Sequence, residues 1–168
     1  MSEKTEENLR DAFAGESQAN RRYLFFADKA EKEGYPQVAK LFRAAADAET
    51  VHAFNHFSAM DGVGSTRDNL NAGVIGEHHE YTRMYPMFIE QSRIDENKRA
   101  ERTFVWANEV EQIHYEHFQA ALEALKAGGD MKSEPVYVCQ LCGNTVTGEA
   151  PDKCPICGAP KAKFKQID

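Results

Sequence analysis

The sequence predicts an all-α bundle of four helices followed by a small β domain that is held together by metal. Apolar residues recur at helical spacings of 3 and 4 through the first part of the chain, where proline is rare. All four cysteines, and four of the six prolines, lie after residue 130. We therefore divide the chain into residues 1–130 and 131–168, with a linker at about residues 128–134.

Composition limits the function classes. The formal net charge of -7 makes nucleic acid an unfavourable partner, because an acidic chain repels phosphate. We see neither a signal peptide nor an apolar run long enough to span a membrane, so we expect a soluble cytoplasmic protein. In a reducing cytoplasm, paired cysteines indicate a metal site rather than disulfides.

The four helices are predicted from their apolar stripes, which have a mean period of about 3.5 residues, typical of a packed bundle. The stripes cover residues 9–30, 38–59, 74–88 and 104–125, and "GYP" at 34–36 ends the first helix. Pro86 lies inside the third stripe. We expect it to kink that helix, because a proline leaves the carbonyl four residues earlier without its partner.

Two helices carry a Glu-x-x-His motif on the stripe that should face the core. "AETVH" contains Glu49 and His52, and "VEQIH" contains Glu111 and His114. Residues three apart share one face of a helix. A single copy of this motif usually marks a surface pair, whereas two copies on two inward stripes indicate a metal site.

Each motif is preceded by a glutamate on the inward stripe of the helix before it. Glu16 precedes the first motif's glutamate by 33 residues, and Glu77 precedes the second's by 34. Tyr23 follows Glu16 by seven residues, and Tyr85 follows Glu77 by eight. The helical part is therefore predicted to be two copies of one two-helix unit, each supplying half of a ligand set.

Buried carboxylates are costly unless they are paired or bind cations. Two metal ions would remove that cost, and carboxylate oxygens with imidazole nitrogens suit iron or manganese better than zinc. The same ligand set defines the ferritin-like di-iron carboxylate bundles.

Several neighbouring residues are less clear from spacing alone. Glu80 lies three residues after Glu77, where the first unit has Ala19, and it is either a fifth carboxylate of the cluster or a solvated residue. The two tyrosines are packed aromatics whose hydroxyls need an acceptor. His56 is interpreted as a core or supporting histidine, and no ligand role is assigned to three others, His78, His79 and His117.

The tail contains two "CxxCG" turns, in which Gly143 and Gly158 tolerate the positive φ that bends amides toward sulfur. Four thiolates form a tetrahedral site for either zinc or a single iron. The cysteines are Cys139, Cys142, Cys154 and Cys157.

Taken together, the chain closely resembles the rubrerythrins over nearly its whole length. The resemblance rests on "AFAGESQANRRYLFFA", "AAADAETVHAFNH", "GEHHEYTRMYP", "VEQIH" and "YVCQLCG…CPICGAPKAKF". It implies a ferritin-like domain with two iron ions and a rubredoxin-like domain with one iron, or zinc as isolated. It also implies that Glu80 binds iron in the oxidised state and that His52 replaces it on reduction.

The resemblance further implies a peroxidase. Hydrogen peroxide would be reduced to water with electrons that an NAD(P)H-dependent reductase or a rubredoxin passes to the four-cysteine iron. Tyr23 and Tyr85 would orient the carboxylates. The alternatives are a ferritin-like ferroxidase or iron-storage protein, which would stay active without the tail, and a binding module with a structural zinc ribbon.

The tether "KAGGDMKSEP" raises the question whether the tail reaches the cluster of its own chain. The resemblance implies a homodimer in which the tail of one chain faces the bundle of the other. In short rubrerythrins the first two helices can also be exchanged between chains, and the loop "DGVGSTRDN" would then be the hinge.

Overall fold

A computed structural model describes residues 1–167 of the chain. Helices and strands follow one another within this range as α1 (Glu3–Lys32), α2 (Pro36–Ala59), α3 (Thr66–His79), a π-helical turn (Glu80–Met84), α4 (Tyr85–Ile94), α5 (Lys98–Lys126), β1 (Val136–Cys139), β2 (Thr145–Thr147) and β3 (Phe164–Ile167). Because α3, the π-turn and α4 follow one another without a break, they correspond to the third predicted helix. All four predicted helices are therefore present.

The chain divides into two compact units, the first ending at Gly64 and the second beginning at Ser65. In the first unit, α1 and α2 form a hairpin. Gly34, with a φ of 83°, makes the turn between them, and Pro36 starts α2 at a position where no amide hydrogen is needed. The rings of Phe13 and Phe57 stack at 4.8 Å between the two helices. Four small residues of the hairpin are buried, namely Ala27, Ala30, Ala39 and Ala46.

The second unit packs α3 and α4 along α5. A capping box begins α3, in which Ser65 and Asp68 each accept a hydrogen bond from the backbone amide of the other. Gly73 lies against the ring of Phe118, so close that a Cβ at this position would be 2.9 Å from the ring. Further along, a cluster of aromatic rings with centroids 5.6–6.3 Å apart fills the interface between α4 and α5, formed by Tyr85, Phe88 and Phe104.

A π-helical turn precedes Pro86 in the third helix, and the kink predicted at Pro86 stays a prediction. The amide of Tyr85 donates to the carbonyl of Glu80, five residues back instead of the usual four. Pro86 then occupies the first turn of α4, where its missing amide hydrogen costs little. The helix thus widens by one residue in the turn that begins at Glu80, three residues after Glu77.

The tail forms an antiparallel sheet with the strand order β2-β1-β3. Val136 pairs with Thr147 on one side and with Ile167 on the other. Its buried core consists of Cys139, Cys154 and Ala159. So small an apolar core requires an additional crosslink, in agreement with the prediction of a metal-stapled domain. The predicted domain boundary at residue 130 falls between α5 and β1 and stays a prediction.

Of the helices in the described part of the chain, none combines the length and the apolar character needed to cross a lipid bilayer.

Candidate metal centres

The first unit brings together a glutamate from α1 with the Glu-x-x-His pair of α2. Ligand atoms of Glu16, Glu49 and His52 all lie within 4.8 Å of one another. The Nδ1 atom of His52 is 3.0 Å from Oε2 of Glu49. A hydrogen bond between the two carboxyls raises the pKa of Glu16, and the same bond lowers the pKa of Glu49. The two carboxyl groups are therefore close enough to form a hydrogen bond when one of them is protonated.

The second unit repeats this arrangement with α3 and α5. Glu77, Glu111 and His114 bring their ligand atoms within 4.8 Å of one another, and Nδ1 of His114 is 2.7 Å from Oε2 of Glu111. Burial, followed by the charge of Glu111, raises the pKa of Glu77 to about 7. The hydrogen bond to Glu111 is the main cause that raises the pKa of His114.

Glu80, the first residue of the π-turn, lies beside this second group. Among the described residues it is not one of the three whose ligand atoms converge within 4.8 Å. Burial and then the charge of Glu111 nevertheless raise the pKa of Glu80. The structure thus places a further carboxyl next to the group but does not test the ligand role that the resemblance implies.

The two tyrosines differ in their surroundings. Burial, followed by the charges of Glu111, Glu80 and Glu77, raises the pKa of Tyr85. Its hydroxyl therefore lies close to the carboxyls of the second unit. Tyr23 packs against the rings of Phe26 and Phe42 at 6.3 and 6.0 Å, as expected for a packed aromatic.

Each group has the donors for a hard metal ion. Two carboxylates and one imidazole converge, and in each group the carboxyls are close enough to hydrogen-bond to each other. A cation would relieve the repulsion between the neighbouring carboxylates. The donor set fits iron or manganese, although the ligand role of each individual residue remains a prediction.

The four cysteines of the tail converge in the same way. Cys139 and Cys157 have their sulfur atoms 3.7 Å apart, and Cys142 and Cys154 have theirs 3.6 Å apart. These distances are far longer than a disulfide bond and suit thiolates arranged around one ion. All four sulfur atoms lie within 4.8 Å of one another.

Two turns with the same hydrogen-bond pattern hold the cysteines. Cys139 donates its amide to the carbonyl of Asn144, and the amide of Gly143 donates back to Cys139. The second turn repeats both bonds with Cys154, Ala159 and Gly158 in the same places. As predicted, both glycines have a positive φ, of 87° and 75°.

The surroundings of the sulfur atoms favour thiolate at Cys154, whereas burial raises the pKa of Cys157 in the same turn. Burial acts to raise the pKa of Cys154, but backbone hydrogen bonds from Cys157 and Ile156 outweigh it and lower the pKa to about 7. The side-chain amide of Asn144 also faces this sulfur, at 3.7 Å. Burial raises the pKa of the Cys142 thiol, so a bound cation is needed to keep all four sulfurs ionised.

The four-cysteine domain reaches a metal group of its own chain. In the second unit, Oγ1 of Thr145 on β2 lies 2.9 Å from Nε2 of His114, and the Thr145 carbonyl lies 3.2 Å from Nε2 of His117. The arrangement in which the tail of one chain faces the bundle of another stays a prediction. The sequence analysis did not predict Thr145 and assigned His117 no role at the site. Thr145 lies 31 positions after His114 and 28 after His117, and helical periodicity relates only residues of the same helix.

Family models match both parts of the chain. The model described as Rubrerythrin matches residues 7–122, and the model described as Rubrerythrin, rubredoxin-like domain, matches residues 137–165. The fold class is therefore a ferritin-like helical domain followed by a rubredoxin-like domain, as predicted. The chain belongs to the rubrerythrin family.

Individual relatives agree with this assignment. Rubrerythrin-2 of Clostridium acetobutylicum is 41% identical over 175 residues, which cover 96% of this chain and 95% of the relative. The rubrerythrin of Nitratidesulfovibrio vulgaris is 35% identical, with 98% and 94% covered. The solved structure of fully reduced, all-ferrous nigerythrin has a TM-score of 0.58 and 33% identity, with 97% of this chain and 86% of that chain covered.

Membership of this family confirms the predicted cofactors, which are a di-iron site and a four-cysteine rubredoxin-like site. Membership of this family also implies that the chain is an oxidoreductase.

The raised pKa of Glu77 predicts that metal binding releases a proton from this side chain. A carboxyl with a pKa of about 7 is mostly protonated at about pH 6 and mostly ionised at about pH 8. Binding at the lower pH must therefore displace its proton, and affinity should rise with pH. Calorimetric titration with Mn²⁺, in buffers of different ionisation enthalpy and with zinc already at the four cysteines, measures this release.

The variant Glu77→Gln should release about one proton fewer at the lower pH, whereas the exposed Glu109→Gln on the facing helix serves as the matched control. Equal proton release by the wild type at both pH values would contradict the prediction.

Proposed function

We propose that this protein is a peroxidase that reduces hydrogen peroxide to two waters. The reaction breaks the O–O bond and consumes two electrons and two protons. We further propose that an NAD(P)H-dependent reductase or a rubredoxin delivers the electrons through the four-cysteine site. The bound iron ions would supply the electrons and the Lewis acidity for this cleavage.

One observation carries the proposal: within the second unit, the four-cysteine domain is hydrogen-bonded to the carboxylate–histidine group through Thr145 and His114. A four-cysteine iron has no open coordination position, so it can relay electrons but cannot bind substrate. A relay is useful only next to a group that uses the electrons. A ferroxidase has no need of such a contact.

The second group is also accessible to a small substrate. A mostly apolar pocket of about 500 Å³ opens onto Glu77 and His114, and its other lining residues include Leu70, Phe118, Met131 and Val136. Apolar walls exclude water and strengthen the electrostatic effect of the carboxylates at the pocket's end. Glu80 and Tyr85 supply further polar groups beside the same carboxylates.

The test is a reoxidation experiment on anaerobically purified full-length protein whose iron content has been measured. A reductant should bleach the iron–thiolate absorption bands, and hydrogen peroxide should restore them, with two electrons recovered per peroxide. Protein with zinc at the four cysteines is the control, because zinc cannot relay electrons. Bands that stay bleached in the presence of peroxide, although iron fills both sites, would refute the peroxidase.

Replacement of Glu80 by alanine should slow peroxide-driven reoxidation by about 10- to 100-fold while most of the iron stays bound. The reason is that Glu80 lies beside the second group without belonging to its three converging side chains. Stopped-flow absorbance gives the rate, and metal analysis gives the occupancy. The exposed Glu90→Ala on α4 is the matched control, and unchanged kinetics in Glu80→Ala would remove this residue from the mechanism.

We also propose that the protein works as a homodimer in the cytoplasm, where its four free cysteines stay reduced. Large apolar side chains are exposed in each unit, among them Phe25 and Leu41 at 67% and 69%, and Ile75 and Met87 at 70% and 67%. Surfaces of this kind are typical of protein interfaces.

Sedimentation equilibrium should therefore give about twice the 18.9 kDa mass of one chain. Leu41→Lys should shift the mass toward the monomer, because a buried unpaired charge opposes association. The exposed Lys40→Ala beside it serves as the control, and a monomeric wild type at micromolar concentration would contradict the dimer.

A further inference from the structure

The hydroxyl of Thr145 has two neighbours that fix the position of its single hydrogen. Its Oγ1 atom is 3.1 Å from the carbonyl oxygen of Gly143 and 2.9 Å from Nε2 of His114. A carbonyl oxygen can only accept, so the hydroxyl hydrogen is directed to Gly143. Oγ1 is then an acceptor for His114, whose Nε2 must carry a hydrogen.

This hydrogen bond determines which nitrogen of His114 is available to a metal. When a metal displaces the hydrogen that lies between Nδ1 and Glu111, the hydrogen on Nε2 remains, and the neutral ring presents its Nδ1 lone pair to the metal. That atom lies 2.7 Å from Oε2 of Glu111 and belongs to the group formed with Glu77. A metal-binding histidine is commonly oriented in this way by an acceptor on its other nitrogen.

Two further contacts hold Thr145 in place against α5. The Nε2 of His117, almost one helical turn beyond His114, donates to the backbone carbonyl of Thr145 at 3.2 Å. A Cβ on Gly143 would lie 3.7 Å from the side chain of Val110, so the cysteine turn also packs on this helix. The acceptor therefore belongs to the four-cysteine domain, and contacts with α5 fix its position beside His114.

The histidine of the first unit lies in a different environment. The side chain of His52 is 54% exposed, whereas that of His114 is 29% exposed. The distance from Nδ1 to the glutamate oxygen is similar in both, 3.0 Å and 2.7 Å. Contact with β2 therefore distinguishes the two otherwise repeated motifs.

We propose that Thr145 is a positioning residue for the second metal group. It keeps His114 protonated at Nε2 and oriented with Nδ1 toward Glu77 and Glu111. Through the carbonyl of Gly143 it also connects this ligand by two hydrogen bonds to the turn that contains Cys142. The proposal rests on the proposed metal group, but it does not depend on peroxide as the substrate.

The test compares Thr145→Val, which keeps the shape and loses the hydroxyl, with Thr145→Ser, which keeps the hydroxyl. Thr147→Val, an exposed position on the same strand, is the matched control. Full-length protein with zinc at the four cysteines is titrated with Mn²⁺. We expect about 10- to 100-fold weaker binding in Thr145→Val and near wild-type binding in the other two variants.

A second measurement reports the proposed cause directly. The protein with zinc at the four cysteines only is diamagnetic. Long-range ¹H–¹⁵N correlation spectra of this form show which nitrogen of His114 carries hydrogen. The wild type and Thr145→Ser should show hydrogen on Nε2, and Thr145→Val should lose this preference.

Wild-type Mn²⁺ affinity and an unchanged His114 tautomer in Thr145→Val would overturn the proposal. Equal losses in the valine and serine variants would also overturn it, because the hydroxyl would then not be the cause. Failure of peroxide to reoxidise the wild type would refute the proposed function and leave this result unaffected.

Discussion

The structure of both helical units is constrained by repulsion between carboxyl groups that face one another from paired helices. Glu16 meets Glu49 in the first unit, and Glu77 meets Glu111 in the second, each pair with a histidine beside it. Without a cation the carboxylates repel one another, and burial together with the charge of Glu111 raises the pKa of Glu77 to about 7. A metal ion converts this repulsion into attraction. The helices must therefore hold their spacing closely enough for ligand atoms from different helices to converge.

The tail meets the equivalent requirement with sulfur in place of oxygen. Its buried apolar side chains are too few to hold three short strands together. Two turns with matching hydrogen bonds bring the four thiols within reach of one ion. Both turns need a residue with positive φ, which glycine adopts without strain. Local backbone geometry therefore defines this site, whereas packing between helices defines the other.

The two helical units are similar in sequence but not equivalent. In the second unit, the tyrosine and the second glutamate each follow the first glutamate by one residue more than in the first unit. A π-turn accommodates one additional residue without rotating the rest of the helix away from the core. The π-turn at Glu80–Met84 therefore keeps Tyr85 beside the carboxylates and places Glu80 next to them. The additional residue is visible in the sequence spacing, but the sequence analysis predicted only a kink at Pro86 and no π-turn.

The sequence alone determined the helices, the two Glu-x-x-His groups and the four-cysteine turns, because each depends on residues a fixed number of positions apart. Helical periodicity places Glu111 and His114 on one face whatever surrounds them. Only the tertiary structure decided which surface β2 contacts, and hence that Thr145 meets His114 over a separation of 31 residues. The different exposure of the two histidines has the same origin. Contacts of this kind depend on how a strand packs against a helix. The residue pattern of either element does not predict where the other one lies.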